Sequence, residues 1–512
     1  MKRSINKFTA LLLAAAIALT ALAGCGGGVV SSTGQLEPPQ SSSGSAAPAY
    51  PAEFPPADQP LPAGETDASS QAQEEAASQS EAPPPASSVA PAPPAQSPAS
   101  SSPPPVSSAA PQSQPVAAEP SSQPSVSSVP ESETETEPAY APTRSNLDEV
   151  RGIWISYLDF YSLARDQNKS SFSSNINSAF KAIADYGLNT VYVQVRPFGD
   201  AMYASDIFPW SYVLTGTEGG SPGYDPLDVM ISAARKYDLR IEAWINPYRV
   251  LAVGSTRELA SSNPAVQAIR QGKDTAISYS GGVFYNPASK TARALITQGV
   301  VELVENYDID GIHFDDYFYP TTDEAFDAAY YRDYRSAGGS LSQGDWRREN
   351  VNTLVRQVYA AVKAADASVL FGISPQARMD NNYNGQFADV QKWLSGSGYV
   401  DYICPQIYYG FDNDSAPYGS TLALWDKMAR GSGVALYVGL AVYKCGVSDK
   451  WAGSGANEWL NCTTMMRDMV DEAREASCYQ GFMLYRYDSL FNPESAVAGH
   501  ISKERANLRA IL

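Results

Sequence analysis

The sequence is nearly without histidine. Of 512 residues only His313 and His500 are of this type. A zinc or iron centre built on several imidazoles is therefore excluded, and a metal-dependent deacetylase or amidase would have to rely on oxygen ligands alone. Cysteine is scarce as well. Cys25, Cys404, Cys445, Cys462 and Cys478 form no CxxC pair, which argues against structural zinc. Four thiols in a long C-terminal region are not a disulfide scaffold, and at most one bridge, Cys445 to Cys462, is left open. Cys404 sits in an apolar run and reads as core. Basic residues are missing altogether from Gly26 to Thr143, a stretch that carries thirteen Asp and Glu. The net charge of the chain is −19. Setting aside those acids and the three basic residues before them leaves nine net negative charges on residues 144–512. Without a basic face, nucleic acid is excluded as a partner. There is no fixed-period repeat, and no glycine-rich phosphate fingerprint follows the first strand-like run, so no cofactor is expected.

What is present begins with MKRSINKFTALLLAAAIALTALAGC. A basic start, an apolar run of about a dozen residues and small residues before Cys25 have the layout of a secretion signal. The run is short for a membrane span. Its Leu-Ala-Gly-Cys ending resembles a bacterial lipoprotein box, which implies a signal peptide over 1–24, lipidation of Cys25 and a membrane anchor on the extracytoplasmic side. Residues 25–143 are biased runs of Ser, Pro, Ala and Glu with almost nothing bulky and apolar. They cannot repay ordering entropy and read as a disordered stalk. At roughly 3.1 Å per residue such a stalk spans at most a few hundred Å, enough to carry an anchored domain into a cell wall.

From 144 to 512 the composition is globular. Eight short β-rich runs recur: 151–156, 189–197, 239–247, 310–317, 369–375, 400–409, 434–443 and 480–489. Amphipathic helical patterns lie between them, such as INSAFKAIADYGL and PLDVMISAARKYDL. Alternation of this kind predicts parallel βα units, and eight of them predict a (β/α)8 barrel. A doubly wound sheet is the alternative. Segments 250–285 and 320–348 are long insertions after strands and are the expected substrate walls.

In such a barrel, polar groups at the C-terminal strand ends are the first candidates for chemistry. Side chains alternate faces along a strand. Gln194 and Arg196 then share a face, as do Trp244 and Asn246, His313 and Asp315, and Gln406 and Tyr408. The positions between them, Val195, Ile245, Phe314 and Ile407, are apolar. The polar set is expected to point into the barrel mouth. Asp315 is in phase with His313; Asp316 is out of phase, although a strand end can turn and re-aim it. A basic residue two before an Asp on the fourth strand resembles the nucleophile strand of α-amylase-like and α-galactosidase-like glycosidases. Tyr203, Trp210, Tyr212, Tyr248, Tyr317, Tyr319, Tyr408 and Tyr409 supply rings that either stack on sugars or serve as core. Arg196 and Arg249 either grip a substrate carboxylate or pair with an acid such as Asp200.

RGIWIS, QVRPFGDAMYASDIFPWS, DPLDVMISAARKYDLRIEAWINPYRV, DGIHFDDYFYP, WRRENVNTLV, FGISP and VDYICPQIYYG follow one another in this order. Together they resemble the glycosyl-hydrolase-like family 10 domain across nearly all of 148–490. The resemblance implies a (β/α)8 barrel, export or lipid anchoring, and action on bacterial cell-wall glycan. Its DGIHFDDY motif matches Asp315 and Asp316; QVRP and GDA match Gln194, Arg196 and Asp200. AWxNPYR matches Trp244, Asn246, Tyr248 and Arg249. Glu242 departs from it, standing where His is expected. It is read as a buried partner for His313 or Arg196 in preference to an extra catalytic acid.

The expected function is hydrolysis of peptidoglycan glycan by two carboxyl groups. Asp315 is the expected nucleophile or base. Asp316, Asp200, Asp380 and Asp488 are the candidate proton donors. Gln194, Arg196, Trp210, Trp244, Asn246, Tyr248, Arg249, His313, Tyr317, Gln406 and Tyr408 are the expected substrate contacts. The competing reading is a non-catalytic wall-glycan binding protein, which needs the aromatics but no carboxylate pair.

Overall fold

The computed structural model describes residues 147–512. The expected signal peptide, Cys25 and the stalk lie outside the described residues. Eight parallel strands close into a barrel: β1 (Val150–Ile155), β2 (Thr190–Arg196), β3 (Arg240–Ile245), β4 (Gly311–Phe314), β5 (Leu370–Ile373), β6 (Tyr402–Ile403), β7 (Ala435–Ala441) and β8 (Tyr479–Tyr485). Strand β8 returns to pair with β1, Val150 opposite Gly481 and Ile153 opposite Leu484. All eight β-rich runs of the sequence are barrel strands, and the doubly wound alternative falls.

Strand alternation sorts the side chains into two cores. Ile153, Val191, Val193, Ile241, Ile312, Phe314, Phe371, Val438 and Leu484 face outward and pack under the helices. Trp154, Tyr192, Trp244, Tyr402, Cys404, Tyr437 and Met483 fill the barrel interior. The helices start and stop where local chemistry dictates. Lys169–Tyr186 begins with the Asn168 side chain accepting from Ser171 N and ends at Gly187, whose φ of 103° suits a residue without a Cβ. Pro226–Lys236 begins with Asp225 as cap and proline in the first turn. In Lys169–Tyr186 the buried positions Phe172, Ile176, Phe180 and Ile183 form one stripe. Each such side chain stabilises the packing by about 1.5–3 kcal/mol.

The insertions expected as walls follow β3 and β4. Arg249–Leu251, Gly282–Tyr285 and Ala276–Tyr279 build a three-stranded antiparallel sheet beyond β3. Helix Ala328–Ser336 follows β4, tied down by Arg347, which pairs with buried Asp327 at 2.6 Å. The run 400–409 gives only Tyr402 and Ile403 to the regular ladder. Pro405 has no N–H to donate, and pairing resumes beyond it at Gln406, which bridges Gln376 and Gly439. Among the described residues no helix is long and apolar enough to cross a membrane. The four described cysteines are free thiols, so Cys445 and Cys462 are not bridged. Cys404 is buried in the barrel interior, as expected.

Candidate active site

Strand β4 ends at Phe314, and Asp315 and Asp316 follow directly. Both are buried, each about 3 % exposed. Trp244, in register beside His313 on neighbouring β3, donates its indole N–H to Asp315 Oδ2 at 2.9 Å. The Tyr317 backbone N–H donates to Oδ1 at 3.2 Å. Burial pushes the Asp315 carboxyl up to about 6; the nearby Arg249 charge and these donors act in the opposite direction. Asp315 is thus held in a dry place with a donor on each oxygen, and it exchanges its proton close to neutral pH.

Asp316 also reaches the mouth. Its Oδ1 accepts from Gln406 Nε2 at 3.0 Å, and the same Gln406 amide donates to the Ser374 carbonyl at 2.9 Å. The strand end thus turns and re-aims Asp316, the alternative to its out-of-phase position. The ladder stops at Phe314, so the strict alternation that would turn Asp316 outward no longer applies.

Below the carboxylates lies a buried polar chain that crosses the barrel. Trp154 Nε1 donates to His313 Nε2 at 3.1 Å. His313 Nδ1 meets the Tyr402 hydroxyl at 2.8 Å, and Tyr402 donates to Glu242 Oε2 at 2.7 Å. Ser374 Oγ is 3.0 Å from His313 Nε2. Burial lowers the His313 imidazole to about 3, so it stays neutral. Burial raises Glu242 to about 7 against the pull of Arg240, whose Nη2 lies 3.3 Å away. Glu242 is a partner of His313, as read from sequence, but through the hydroxyl of Tyr402. Trp154, Tyr402 and Ser374 were not singled out in the sequence. Tyr402 shares its phase with Gln406, and Trp154 is the last inward position of strand β1, so alternation would have found both.

Other expected contacts frame this centre. Gln194 Oε1 accepts from Tyr157 N at 2.9 Å, joining the ends of β2 and β1. Asn246 Oδ1 accepts from Arg249 N and turns the chain after β3. The Arg249 guanidinium lies 4.6 Å from the Tyr317 ring. Tyr408 joins Tyr443 and Tyr485, with ring centres 5.9 and 6.0 Å away, in an aromatic cluster that continues to Trp154. Beyond β8, Arg486 donates to buried Asp159 at 2.5 Å and to Asp488 at 3.3 Å. Burial first, and then the Asp159 charge, raises the Asp488 carboxyl. Asp159 escaped the sequence reading; its signal was the Ser156-to-Asp159 capping box after β1.

Several expected site residues are placed elsewhere. The β2–β3 register slips between Gln194 and Arg196, so Arg196 pairs with Ile245 and not with Asn246. This bulge sends Arg196 out through the barrel wall, where its guanidinium stacks 3.8 Å from the Phe208 ring and lies against Gly299 of helix Lys290–Asn306. Asp200 is buried in the loop after β2, accepting from Tyr212 N at 3.1 Å and pairing with Arg257 at 3.4 Å. Burial raises it to about 6, with Arg257 opposing, and its contacts with Tyr212 and Arg257 tie the loop together. Tyr248 is beyond the strand end and packs against Phe318 in the outer core, where the fully buried Tyr203 packs against Tyr307 and Tyr319 against Phe326 and Phe387. Trp210 is half-buried against that core, its backbone bridged to Ala201. Asp380 is exposed and accepts from Asn384 at 2.6 Å. Among the described residues no group of three or more His, Cys, Asp or Glu could hold a metal ion.

Against known proteins, the model of the family glycosyl hydrolase-like 10 matches residues 149–453. Glycosyl hydrolase YngK of Bacillus subtilis (strain 168) is 35% identical over 347 residues, which cover 63% of this chain and 66% of YngK. The chain therefore spans just under two thirds of that relative. Glycosyl hydrolase DigH of Escherichia coli (strain K12) is 33% identical over 394 residues, 70% of this chain and 87% of DigH. Among solved structures, the PgaB (BpsB) glycoside hydrolase domain from Bordetella bronchiseptica aligns with a TM-score of 0.48 at 13% identity, covering 70% of this chain and 99% of that one.

Proposed function

The chain belongs to the glycosyl hydrolase-like 10 family, and we propose on that premise that it hydrolyses glycosidic bonds in the glycan strands of bacterial peptidoglycan. The observation that carries the reading is the carboxylate pair at the end of β4, each member held by a side chain from another strand end: Trp244 on Asp315 and Gln406 on Asp316. Glycosidic cleavage needs one carboxylate that attacks or activates water and one group that protonates the leaving oxygen. Donors on both oxygens and the Arg249 charge favour ionised Asp315, so we assign it the first role. Asp316 is assigned the proton transfer. The rings of Tyr317, Tyr408, Tyr443 and Tyr485 at the strand ends suit the apolar faces of sugars.

The peptidoglycan assignment is supported from outside the barrel. A secretion-type N-terminus with a lipoprotein-like box at Cys25, followed by a stalk-like segment, suits a domain anchored at the extracytoplasmic face of the membrane and working in the wall. The full chain incubated with purified peptide-free glycan strands is expected to release new reducing ends, and Asp315→Asn to abolish them. Glycan that binds without any new reducing ends would support the non-catalytic alternative. Wild-type turnover by Asp315→Asn would remove Asp315 from the mechanism.

A further inference from the structure

We infer that Glu242, at the floor of the barrel, is a positioning residue that acts on the carboxylates at the mouth through Tyr402 and His313. The inference rests on the glycosidase reading of the mouth. Its basis is that, with Glu242 ionised as it is above about pH 7, donors and acceptors in the chain allow one arrangement of protons. An indole N–H only donates, so His313 Nε2, 3.1 Å from Trp154 Nε1, must accept. His313 is neutral, and its proton is then on Nδ1, aimed at the Tyr402 oxygen 2.8 Å away. Tyr402 spends its own proton on Glu242 Oε2. The other carboxylate oxygen faces Arg240. Both oxygens of Glu242 therefore meet donors, and a group with two acceptor ends is required there.

The chain reaches both carboxylates. Ser374 Oγ lies on His313 Nε2, and the Ser374 carbonyl receives the Gln406 amide that also holds Asp316. Trp244, which holds Asp315, packs edge-on against the His313 ring with centroids 6.3 Å apart. The fold makes room for this arrangement. A Cβ at Gly311 would come within 2.5 Å of the Glu242 carboxyl, and a Cβ at Gly372 would collide with the Tyr402 ring. Glycines on β4 and β5 thus clear the space the Glu242–Tyr402 pair occupies. The titratable groups around Glu242 are Arg240 on its own strand, Tyr192 on β2, Asp310 before β4, Asp401 before β6, Tyr402 on β6, Cys404 beyond it and Tyr437 on β7.

Glu242→Gln discriminates, because it keeps shape and removes one acceptor. If the amide oxygen faces Tyr402, the NH2 group meets Arg240, donor against donor. If the amide is reversed, its NH2 donates to Tyr402, whose proton must then go to His313 Nδ1. The imidazole proton moves to Nε2 and opposes the Trp154 N–H. The imidazole 15N spectrum reads this directly in the labelled full chain, since only His313 and His500 contribute. His500→Gln assigns the two. Wild type is expected to show neutral His313 protonated at Nδ1. Glu242→Gln is expected to populate the Nε2–H form and to lower kcat on glycan about tenfold, the worth of one buried hydrogen bond, with KM changed by less than about twofold. Tyr402→Phe should lower kcat alike, and the double variant should be no worse than the poorer single one. The proposal is overturned if Glu242→Gln keeps the Nδ1–H form at wild-type kcat, if kcat falls with no tautomer change, or if the two losses add. Should wild type cleave no glycan, the glycosidase reading fails, while the imidazole spectrum still decides whether Glu242 sets the state of His313.

Discussion

Asp315 is costly to the fold for the same reason it is useful to the chemistry. Its carboxyl titrates near 3.8 when exposed and at about 6 in the folded chain, because burial disfavours the charge. With the folded value raised, the native state binds the proton more tightly than the unfolded state. Stability from this group is present below about pH 4 and is lost as pH rises to 6. Asparagine carries no such titration. The stability of Asp315→Asn relative to wild type is therefore expected to improve by about 1–3 kcal/mol between pH 4 and pH 7, read by thermal melts across that range. A difference that does not change with pH would contradict the buried carboxylate. The same value sets the acidic limb of activity: a group that must be ionised to attack loses function as pH falls through about 6. Trp244→Phe deletes a donor to the ionised form. Its acidic limb should move upward by about half to one pH unit, the equivalent of one hydrogen bond. A downward or absent shift in the pH profile would show that the indole does not hold the charged state.

Between elements, Arg257 clamps the loops that follow β2 and β3. It donates to Glu218, lies 3.4 Å from Asp200 and reaches the Val250 carbonyl at 3.1 Å. Its guanidinium also stacks 4.2 Å from the Tyr212 ring. Arg257→Ala leaves two buried carboxylates without their cation, a loss of about 3–5 kcal/mol. Arg257→Lys keeps the charge but not the planar fork, so it should fall between. Urea titration of the three proteins checks the order; an alanine variant within about 1 kcal/mol of wild type would refute the clamp. This scale also shows what the sequence made legible. The eight strands stood out because short β-rich runs alternate with helical periods, and Gln194, Trp244 and His313 were placed by side-chain alternation within the ladder, with Asp315 and Gln406 just beyond it keeping the same phase. Alternation failed where the ladder does. A slip beside Val195 reverses Arg196, and nothing in QVRP announces it. The ladder ends at Phe314 and Ile245, so parity says nothing of Asp316 or Tyr248. Tyr203, Tyr248 and Tyr319 look like sugar platforms by type, yet they fill the outer core. Ring chemistry is the same in both settings, and only packing separates them.

Across the whole molecule, the barrel is closed by its two ends. Strand β1 pairs with β2 on one side and with β8 on the other, so the last strand has no second neighbour without it. Ion pairs and hydrogen bonds reinforce the seam. Arg474 binds Glu149 through 2.9 and 3.0 Å contacts and donates to the Ile511 carbonyl; Arg151 donates to the Leu512 carbonyl at 2.5 Å. Trp154 on β1 also supplies the donor that orients His313. Residues 25–143, by contrast, offer almost no bulky apolar side chains to bury, and the apolar run before them has the layout of a secretion signal, not of a barrel element. A chain beginning at residue 144 should therefore melt within about 1 °C of the full chain, since 1 kcal/mol moves a domain of this size by only about 1–2 °C. A chain beginning at residue 157 lacks β1, exposes an edge of β2 and another of β8, and should lose its cooperative transition. Calorimetry of the three chains decides the point. A cooperative melt at the wild-type temperature without β1 would mean that closure does not hold the barrel together; a lowered melt for the 144–512 chain would mean that the N-terminal segment contributes to the fold.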